Sequence, residues 1–244
     1  MRNVKVVVEY DGTDFFGFQK LPGRRTVQGT LEWALSMITK EPVKVVGAGR
    51  TDAGVHALGQ VISFKTGGSI PTERISIALN SMLPRDLVAK EAEEVSEDFH
   101  ARFSATSRLY GYQILNAEYP SAIRGRYSWY RREKFDLDAM NEAARALVGR
   151  HDFASFAKAD SENGGTVRDL FRLSVERQEE LIVFELEANS FLHSMARIIV
   201  GTLAEVGDGR RTPGDVEEIL RKADRTAAGK TAPPQGLCLM KVGY

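Results

Sequence analysis

The chain has 244 residues, of which 43% are hydrophobic and 27% are charged, as in ordinary folded globular proteins and unlike disordered or fibrous ones. The 33 basic and 33 acidic residues cancel, so net charge alone does not indicate a polyanionic partner. A single cysteine, Cys238, excludes an intrachain disulfide. The first residues form a strand pattern without a signal-peptide core, and no apolar run approaches the roughly 18 residues of a membrane span. We expect a cytoplasmic protein.

The first hundred residues predict the element order β-α-β-β-α-β. Apolar residues that recur every second position indicate strands, and apolar residues three or four apart indicate helices. Thr26 is expected to cap the first helix, and Pro71 is expected to open the second. The predicted strands cover residues 4–10, 43–46, 60–65 and 87–95, and the predicted helices cover residues 27–39 and 71–83.

The second half repeats this order without repeating the sequence. Its predicted elements are a strand around residues 110–114, a helix at 137–147, strands at 167–177 and 181–188, a helix from Phe191 to Leu203, a helix starting at Thr212, and a closing strand at 237–242. We therefore predict an α+β fold of two ferredoxin- or RRM-like β-α-β-β-α-β halves with mixed, mainly antiparallel sheets. The predicted domains are residues 1–105, which carry the glycine-rich loop described next, and residues 106–244.

Residues 47–56 form a glycine-rich segment between two predicted strands, here called the glycine loop. It carries Arg50, Thr51, Asp52 and His56, all capable of chemistry. Glycines at positions 47, 49 and 54 permit positive φ and close approach of the backbone to a ligand. An aspartate in such a loop is most often a turn residue, but loops on rigid scaffolds also commonly carry catalytic groups. We favour an active-site loop.

Basic residues are concentrated in short segments. Arginines alternate with aromatic residues over positions 124–134, and shorter basic spots lie at 24–25, 210–211 and around Arg168. Arginine with aromatic residues is typical of surfaces that bind phosphates and stack bases. A strand with one polar and one apolar face explains the 124–134 cluster equally well.

The four histidines raise the question of a metal site. Asp52 and His56 are four residues apart, and the pair His151-Asp152 resembles part of a metal phosphohydrolase motif. Neither pair has the companion histidines or cysteines that a metal site would need. We predict no metal.

Six segments, spread over almost the whole chain, form one ordered set of motifs. They are residues 10–13 with 17–19, 49–60 (GRTDAGVHALGQ), 98–105 with 107–112, 151–153 with Phe156, 189–197 with Gly201, and 232–237. In this order they resemble the TruA-type tRNA pseudouridine synthases. The departures are Phe18 where the family usually has Trp, Ala196 where it usually has Val, and Gly29 in the first helix, where a longer side chain is common.

The resemblance implies conversion of uridine to pseudouridine at positions 38, 39 and 40 in the anticodon arm of tRNA. The reaction breaks the N1–C1′ bond, turns the uracil and joins its C5 to C1′. It requires no metal or organic cofactor. The family acts as a homodimer, and the resemblance implies the same here.

The resemblance also assigns roles to residues. Asp52 matches the catalytic aspartate, and Arg197 is expected to pair with it and favour its ionised form. An ionised carboxylate can attack C1′ as a nucleophile or take a C2′ proton as a base, and both routes stay open. Tyr110 would pack on the target base, Arg50 would support base flipping, and Leu237 would cap the base pocket. Since these partners lie in both halves, an active-site cleft between the halves is expected.

The remaining alternatives concern single residues and the protein class. Tyr110 alternates with Tyr112 in a strand and Leu237 lies in a terminal strand, so both also fit a structural core. A non-catalytic RNA-binding protein with the same fold is the main alternative function, and a metal phosphohydrolase is a third. The predicted RNA-binding residues are Arg24, Arg25, Arg124, Arg126, Arg131, Arg132 and Arg168.

Overall fold

The computed structural model describes residues 1–158 and 165–244. In chain order, its strands and α-helices are β1 (Arg2–Tyr10), α1 (Val27–Thr39), β2 (Val46–Gly47), β3 (His56–Thr66), α2 (Thr72–Asn80), β4 (Leu87–Val95), β5 (Ser107–Leu115), β6 (Trp129–Tyr130), α3 (Leu137–Leu147), β7 (Gly149–Asp152), β8 (Val167–Gln178), β9 (Leu181–Ala188), α4 (Met195–Gly207), α5 (Pro213–Lys222) and β10 (Leu237–Gly243).

Two compact units account for these elements. The first unit comprises Met1–Thr106 and Cys238–Tyr244, and the second comprises Ser107–Leu237. Both combine helices with mainly antiparallel strands, which confirms the predicted α+β class. The last strand was placed by the sequence in the second half, whereas it lies in the first unit because it pairs with β3.

The first unit has a sheet in which β1 lies between β3 and β4, antiparallel to both. β10 runs parallel to β3 at its start, where Cys238 pairs with His56. Alternate residues of β1 (Val4, Val6, Val8 and Tyr10) are buried, as the period-two pattern predicts. α1 begins after Thr26, whose side chain accepts a hydrogen bond from the Gly29 amide, so the predicted cap is confirmed.

The strand predicted at residues 43–46 is mostly wrong. Only Val46 and Gly47 pair with β3. The preceding backbone bonds instead to side chains of α1: the Val43 amide donates to Ser36 Oγ (3.2 Å), and the Val45 amide donates to Glu32 Oε1 (3.2 Å). Because helix side chains satisfy these backbone groups, the segment needs no strand partner.

The second unit contains the sheet order β5-β9-β8-β7, with β6 parallel to β5. α3 packs against β8, α4 and α5. The predicted start of α5 is confirmed, since Thr212 and Asp215 form a reciprocal capping box. α4 begins at Met195 rather than at Phe191, because Ser194 takes a left-handed conformation with φ of 60°. Within the described residues, no helix is long and apolar enough to cross a membrane.

Candidate active site

The glycine loop connects β2 to β3, and bonds to the sheet fix its first half. The Ala48 amide donates to the Val61 carbonyl (2.8 Å), and the buried Gln60 side chain donates to the Gly49 carbonyl (2.9 Å). Gln60 Nε2 also lies 3.4 Å from the hydroxyl of Tyr10. Gln60 is thus an anchor of the loop that sequence reasoning missed; it lies in a part of β3 where residues 60–64 are all buried, so no alternating pattern marks it.

Thr51 anchors the middle of the loop. Its hydroxyl lies 2.8 Å from that of Tyr10 in the interior, and its carbonyl accepts a hydrogen bond from the Phe18 amide (3.0 Å). Asp52 follows it and is half-buried. The Asp52 carbonyl accepts from the Val55 amide (3.2 Å), which closes a tight turn with Gly54 at φ of 79°. The carboxylate of Asp52 is therefore carried by a backbone that is bonded on both sides.

The loop of residues 11–19 braces the end of the turn. A side chain at Gly12 would overlap the Val55 carbonyl, and Gly17 has φ of 85° beside the Thr51 carbonyl. Both positions therefore require glycine. The Gly12 amide also donates to Nδ1 of the buried His56 (3.0 Å). The segment of residues 10–19 and the glycine loop therefore pack against each other through their backbones.

His56 Nδ1 has a second neighbour, since an oxygen of the Asp11 carboxylate lies 3.2 Å away. The same oxygen accepts from the Thr13 amide (3.0 Å) and hydroxyl (2.6 Å). We assign Nδ1 as an acceptor, because the Gly12 amide donates to it. His56 then serves as a structural link.

Arg50 is exposed on the same loop, one residue before the buried Thr51. Alternation along an extended segment gives Arg50 and Asp52 a common face, with Thr51 directed inward. The exposed guanidinium of Arg50 can bind the negative charge of an anionic polymer. A reacting group of that polymer could then reach the carboxylate of Asp52.

The second unit holds the other predicted site residues. Tyr110 is buried in β5, and its ring packs edge-on against Phe191 with centroids 5.0 Å apart. Leu237, also buried, follows a short 3-10 turn at Pro234–Gly236. Gly236 packs so closely on the ring of Tyr112 that a side chain there would come within 2.5 Å of it.

Arg197 lies on α4 and is half-exposed. Its Nε donates to the Ala232 carbonyl (2.8 Å), and the Ala232 amide donates back to the Arg197 carbonyl (3.0 Å). The resemblance implied Asp52 as the partner of this arginine, and the backbone contact with Ala232 was not foreseen. It sets the direction of the guanidinium from the helix.

Further α4 contacts hold the segment that leads to Leu237. The Gly229 amide donates to Thr202 Oγ1 (3.0 Å), and the Lys230 amide donates to Glu205 Oε1 (3.1 Å). At its other end, the Tyr112 hydroxyl donates to the Pro233 carbonyl (2.9 Å). One face of α4 therefore positions both Arg197 and the approach to Leu237.

The predicted RNA-binding arginines differ in exposure and in their partners. The exposed ones are Arg24, Arg25, Arg124, Arg126 and Arg132. Ion pairs join Arg25 to Asp86 (2.6 Å), Arg124 to Glu180 (3.6 Å) and Arg131 to Asp208 (2.8 Å). Arg168 is half-buried and donates to the carbonyls of Gly165 (3.1 Å) and Val167 (2.7 Å).

In the described ranges 1–158 and 165–244, no three His, Cys, Asp or Glu side chains form a group that could hold a metal ion.

An α+β fold that holds a half-buried aspartate on an anchored loop defines a site for carboxylate chemistry. A family model described as tRNA pseudouridine synthase matches residues 6–104 and 143–244. The chain belongs to this family and is an isomerase, as predicted. Proteins called tRNA pseudouridine synthase A are similar over 100% of both chains: 46% identity in Thermoanaerobacter sp. (strain X514), 47% in Caldicellulosiruptor saccharolyticus and 47% in Brevibacillus brevis.

Proposed function

We propose that this enzyme isomerises uridine to pseudouridine at positions 38, 39 and 40 in the anticodon arm of tRNA, with Asp52 as the catalytic residue. The observation that carries the proposal is the placement of Asp52: it is half-buried on a loop whose neighbouring Thr51 bonds to Tyr10 and Phe18. Full-length similarity to proteins named tRNA pseudouridine synthase A supports the substrate class.

The isomerisation is balanced without any external reagent. The N1–C1′ bond breaks, the uracil turns, C5 bonds to C1′, the C5 proton leaves and N1 gains a proton. The Asp52 carboxylate either adds to C1′ and is displaced by C5, or removes a proton from C2′ that later returns. A substrate deuterated at C2′ separates the two routes, because only proton abstraction gives a primary isotope effect.

Four further residues support the reaction in this proposal. The ring of Tyr110 packs on the displaced uracil, and stacking of this kind contributes roughly 1 to 3 kcal/mol, comparable to the cost of flipping a nucleotide. Arg197 supplies a guanidinium to the reaction, and Arg50 contacts the RNA backbone. Leu237 covers the base and limits access of water.

In this proposal, exposed arginines bind the phosphates of the tRNA outside the target uridines. Arg124, Arg126 and Arg132 contact phosphates in this proposal, because they are exposed and belong to the 124–134 segment, which also contains aromatic residues. We further propose that the enzyme works as a homodimer in the cytoplasm, where its tRNA substrate is found.

The test uses tRNA with tritium at C5 of uridine. Wild-type protein should release label, and Asp52→Asn should release none while tRNA binding stays within about twofold. Asp14→Asn, an exposed aspartate in the adjacent loop, is the matched control and should retain activity. Replacing uridines 38–40 by cytidine should abolish release. Equal release by Asp52→Asn would remove Asp52 from the mechanism, and no release by wild type would overturn the function.

A further inference from the structure

A surface pocket lies at the start of α1, in the first unit. Its volume is about 320 Å³, near the lower limit for ligand pockets, and its walls include Lys20, Leu21, Arg24, Gly29 and Trp33. Nothing in the proposed chemistry of Asp52 requires this pocket.

The apolar wall of the pocket is an exposed tryptophan. Trp33 is 52% exposed on α1, and the adjacent Leu21 is also exposed. Gly29 precedes Trp33 by four residues, so it lies on the same helix face and also lines the pocket. A large aromatic ring that is half in solvent contributes little to the core. It is available for stacking.

The polar wall of the pocket is positive. The Arg24 guanidinium lies 4.8 Å from the centroid of the Phe16 ring, and among the described residues no carboxylate is within ion-pair distance of it. Lys20 pairs with Glu32 (2.8 Å), but its side chain is mostly exposed, so this pair is weak and open to exchange. The positive charge of Arg24 and the ring of Trp33 therefore complement the phosphate and the base of a nucleotide.

The pocket is connected to the catalytic loop by backbone hydrogen bonds. The Phe16 amide donates to the Arg25 carbonyl (2.8 Å), and the Phe18 amide donates to the Thr51 carbonyl (3.0 Å). One short segment therefore contacts both the pocket wall and the residue before Asp52. A nucleotide held in the pocket would have a fixed place relative to the catalytic carboxylate.

We propose that this pocket binds an unpaired nucleotide of the tRNA, with its base stacked on Trp33 and its phosphate held by Arg24. Aromatic rings combined with arginines are the usual means of holding unstacked nucleotides. The inference rests on the proposed function for its ligand, and it adds a second point of attachment that is separate from the target uridine.

The first test compares two exposed residues of one helix. Trp33→Ala should weaken tRNA binding roughly 5- to 150-fold, the range that corresponds to loss of one stacked base. KM for tritium release should rise while kcat at saturating tRNA is unchanged. Met37→Ala is the matched control, since Met37 is 55% exposed one turn further along α1 and is not in the pocket wall. Arg24→Gln should lower the slope of log affinity against log salt by about one unit.

The second test measures the fluorescence of Trp33 in the pocket wall. The chain has two tryptophans, so in Trp129→Phe the fluorescence excited selectively from tryptophan comes from Trp33. Addition of tRNA should quench it and protect it from iodide. Unchanged affinity in Trp33→Ala together with unchanged fluorescence would overturn the proposal. So would a change in sedimentation of Trp33→Ala with normal tRNA affinity, because the surface would then be a protein contact. If wild type released no tritium but tRNA still quenched Trp33, only the proposed function would fail.

Discussion

The hydroxyl of Tyr10 lies 2.8 Å from Oγ1 of Thr51, and both side chains are buried in the first unit. Tyr10 is the last residue of β1, and Thr51 immediately precedes Asp52. A residue at the end of a sheet strand thereby holds the loop that carries the proposed catalytic carboxylate. The position of Asp52 depends on a contact made inside the protein, away from the substrate.

Tyr10→Phe should lower kcat about 10- to 100-fold, because a small displacement of a catalytic group is costly. It should also lower the free energy of unfolding by about 1 kcal/mol, the usual value of one internal hydrogen bond. The dissociation constant for tRNA should not change. These quantities are read by tritium release, urea unfolding and filter binding.

Two controls define this prediction. Tyr130→Phe removes a hydroxyl that donates to the Glu118 carbonyl in the second unit, and it should leave kcat unchanged. In a double-mutant cycle, Thr51→Val should be coupled to Tyr10→Phe, because they share one hydrogen bond. Additive effects on kcat would show that Tyr10 does not act through Thr51.

Stability should fall in alkali, starting above pH 9 and steepening above pH 10. Burial raises the pKa of Tyr10 from 10.0 to about 12, although hydrogen bonds with Thr51 and Gln60 lower it in part. Burial also raises the pKa of Tyr112, and it raises the pKa of Cys238 from 9.0 to about 11. The folded protein therefore keeps protons that the unfolded chain has already released.

The sign of the effect follows from proton binding. Where the folded state binds more protons, the free energy of unfolding decreases as pH rises. For Tyr10 the loss begins near its unfolded pKa and reaches about 2 to 3 kcal/mol by pH 12. Urea unfolding at pH 8, 10 and 11 measures the decrease, and Tyr10→Phe should show a shallower one. A flat profile would contradict the burial of these groups.

Local sequence signals predicted most of the fold correctly. The Thr26 cap and the Thr212–Asp215 capping box involve residues three apart, so the sequence contains the whole interaction. The predicted strand at residues 43–46 was wrong at 43–45, because the backbone amides there donate to the side chains of Ser36 and Glu32 in a helix. An alternation of apolar residues indicates a strand, but it does not show which group will accept the hydrogen bond of each backbone amide.

In the candidate site, too, local features were predictable from the sequence and contacts between distant residues were not. The glycine loop was evident from its composition, and the resemblance supplied the residues of the second unit. The contacts of Thr51 with Tyr10, and of Glu205 with the Lys230 amide, join residues 41 and 25 positions apart. Such pairs depend on how strands and helices pack. No local pattern specifies them.

Gly201→Ala should destabilise the protein by about 2 kcal/mol. A methyl group there would overlap the carbonyl of Lys230, and backbone overlap in a packed interior usually costs 1 to 3 kcal/mol. In an unobstructed helix the same change would stabilise by up to about 1 kcal/mol. The shift of the 229–236 segment should also reduce kcat, because this segment contacts Arg197 and leads to Leu237.

Gly125→Ala is the control for Gly201→Ala, since a side chain at Gly125 would meet nothing within 4 Å. Its free energy of unfolding should stay within about 0.5 kcal/mol of wild type. Urea unfolding and tritium release are measured on both variants. If the two behaved alike, the close approach of α4 to Lys230 would not be a feature of the folded protein.

Neighbouring arginines of the basic segment should have different roles. Arg131 is only 12% exposed and bonds to Asp208 (2.8 Å), itself 7% exposed, and to Glu133 (2.9 Å). Its guanidinium also lies 4.8 Å from the centroid of the Trp129 ring. Arg131→Gln should reduce the free energy of unfolding by about 1 to 3 kcal/mol, because it leaves a buried carboxylate with fewer donors.

Arg132 is exposed, so Arg132→Gln should leave stability within about 0.5 kcal/mol of wild type. It should instead lower the slope of log tRNA affinity against log salt by about one unit, as expected for loss of one phosphate contact. Urea unfolding and binding at several salt concentrations separate the two effects. If Arg131→Gln retained full stability and lowered the salt slope as Arg132→Gln does, Arg131 would be a phosphate ligand and its ion pair with Asp208 would be incidental.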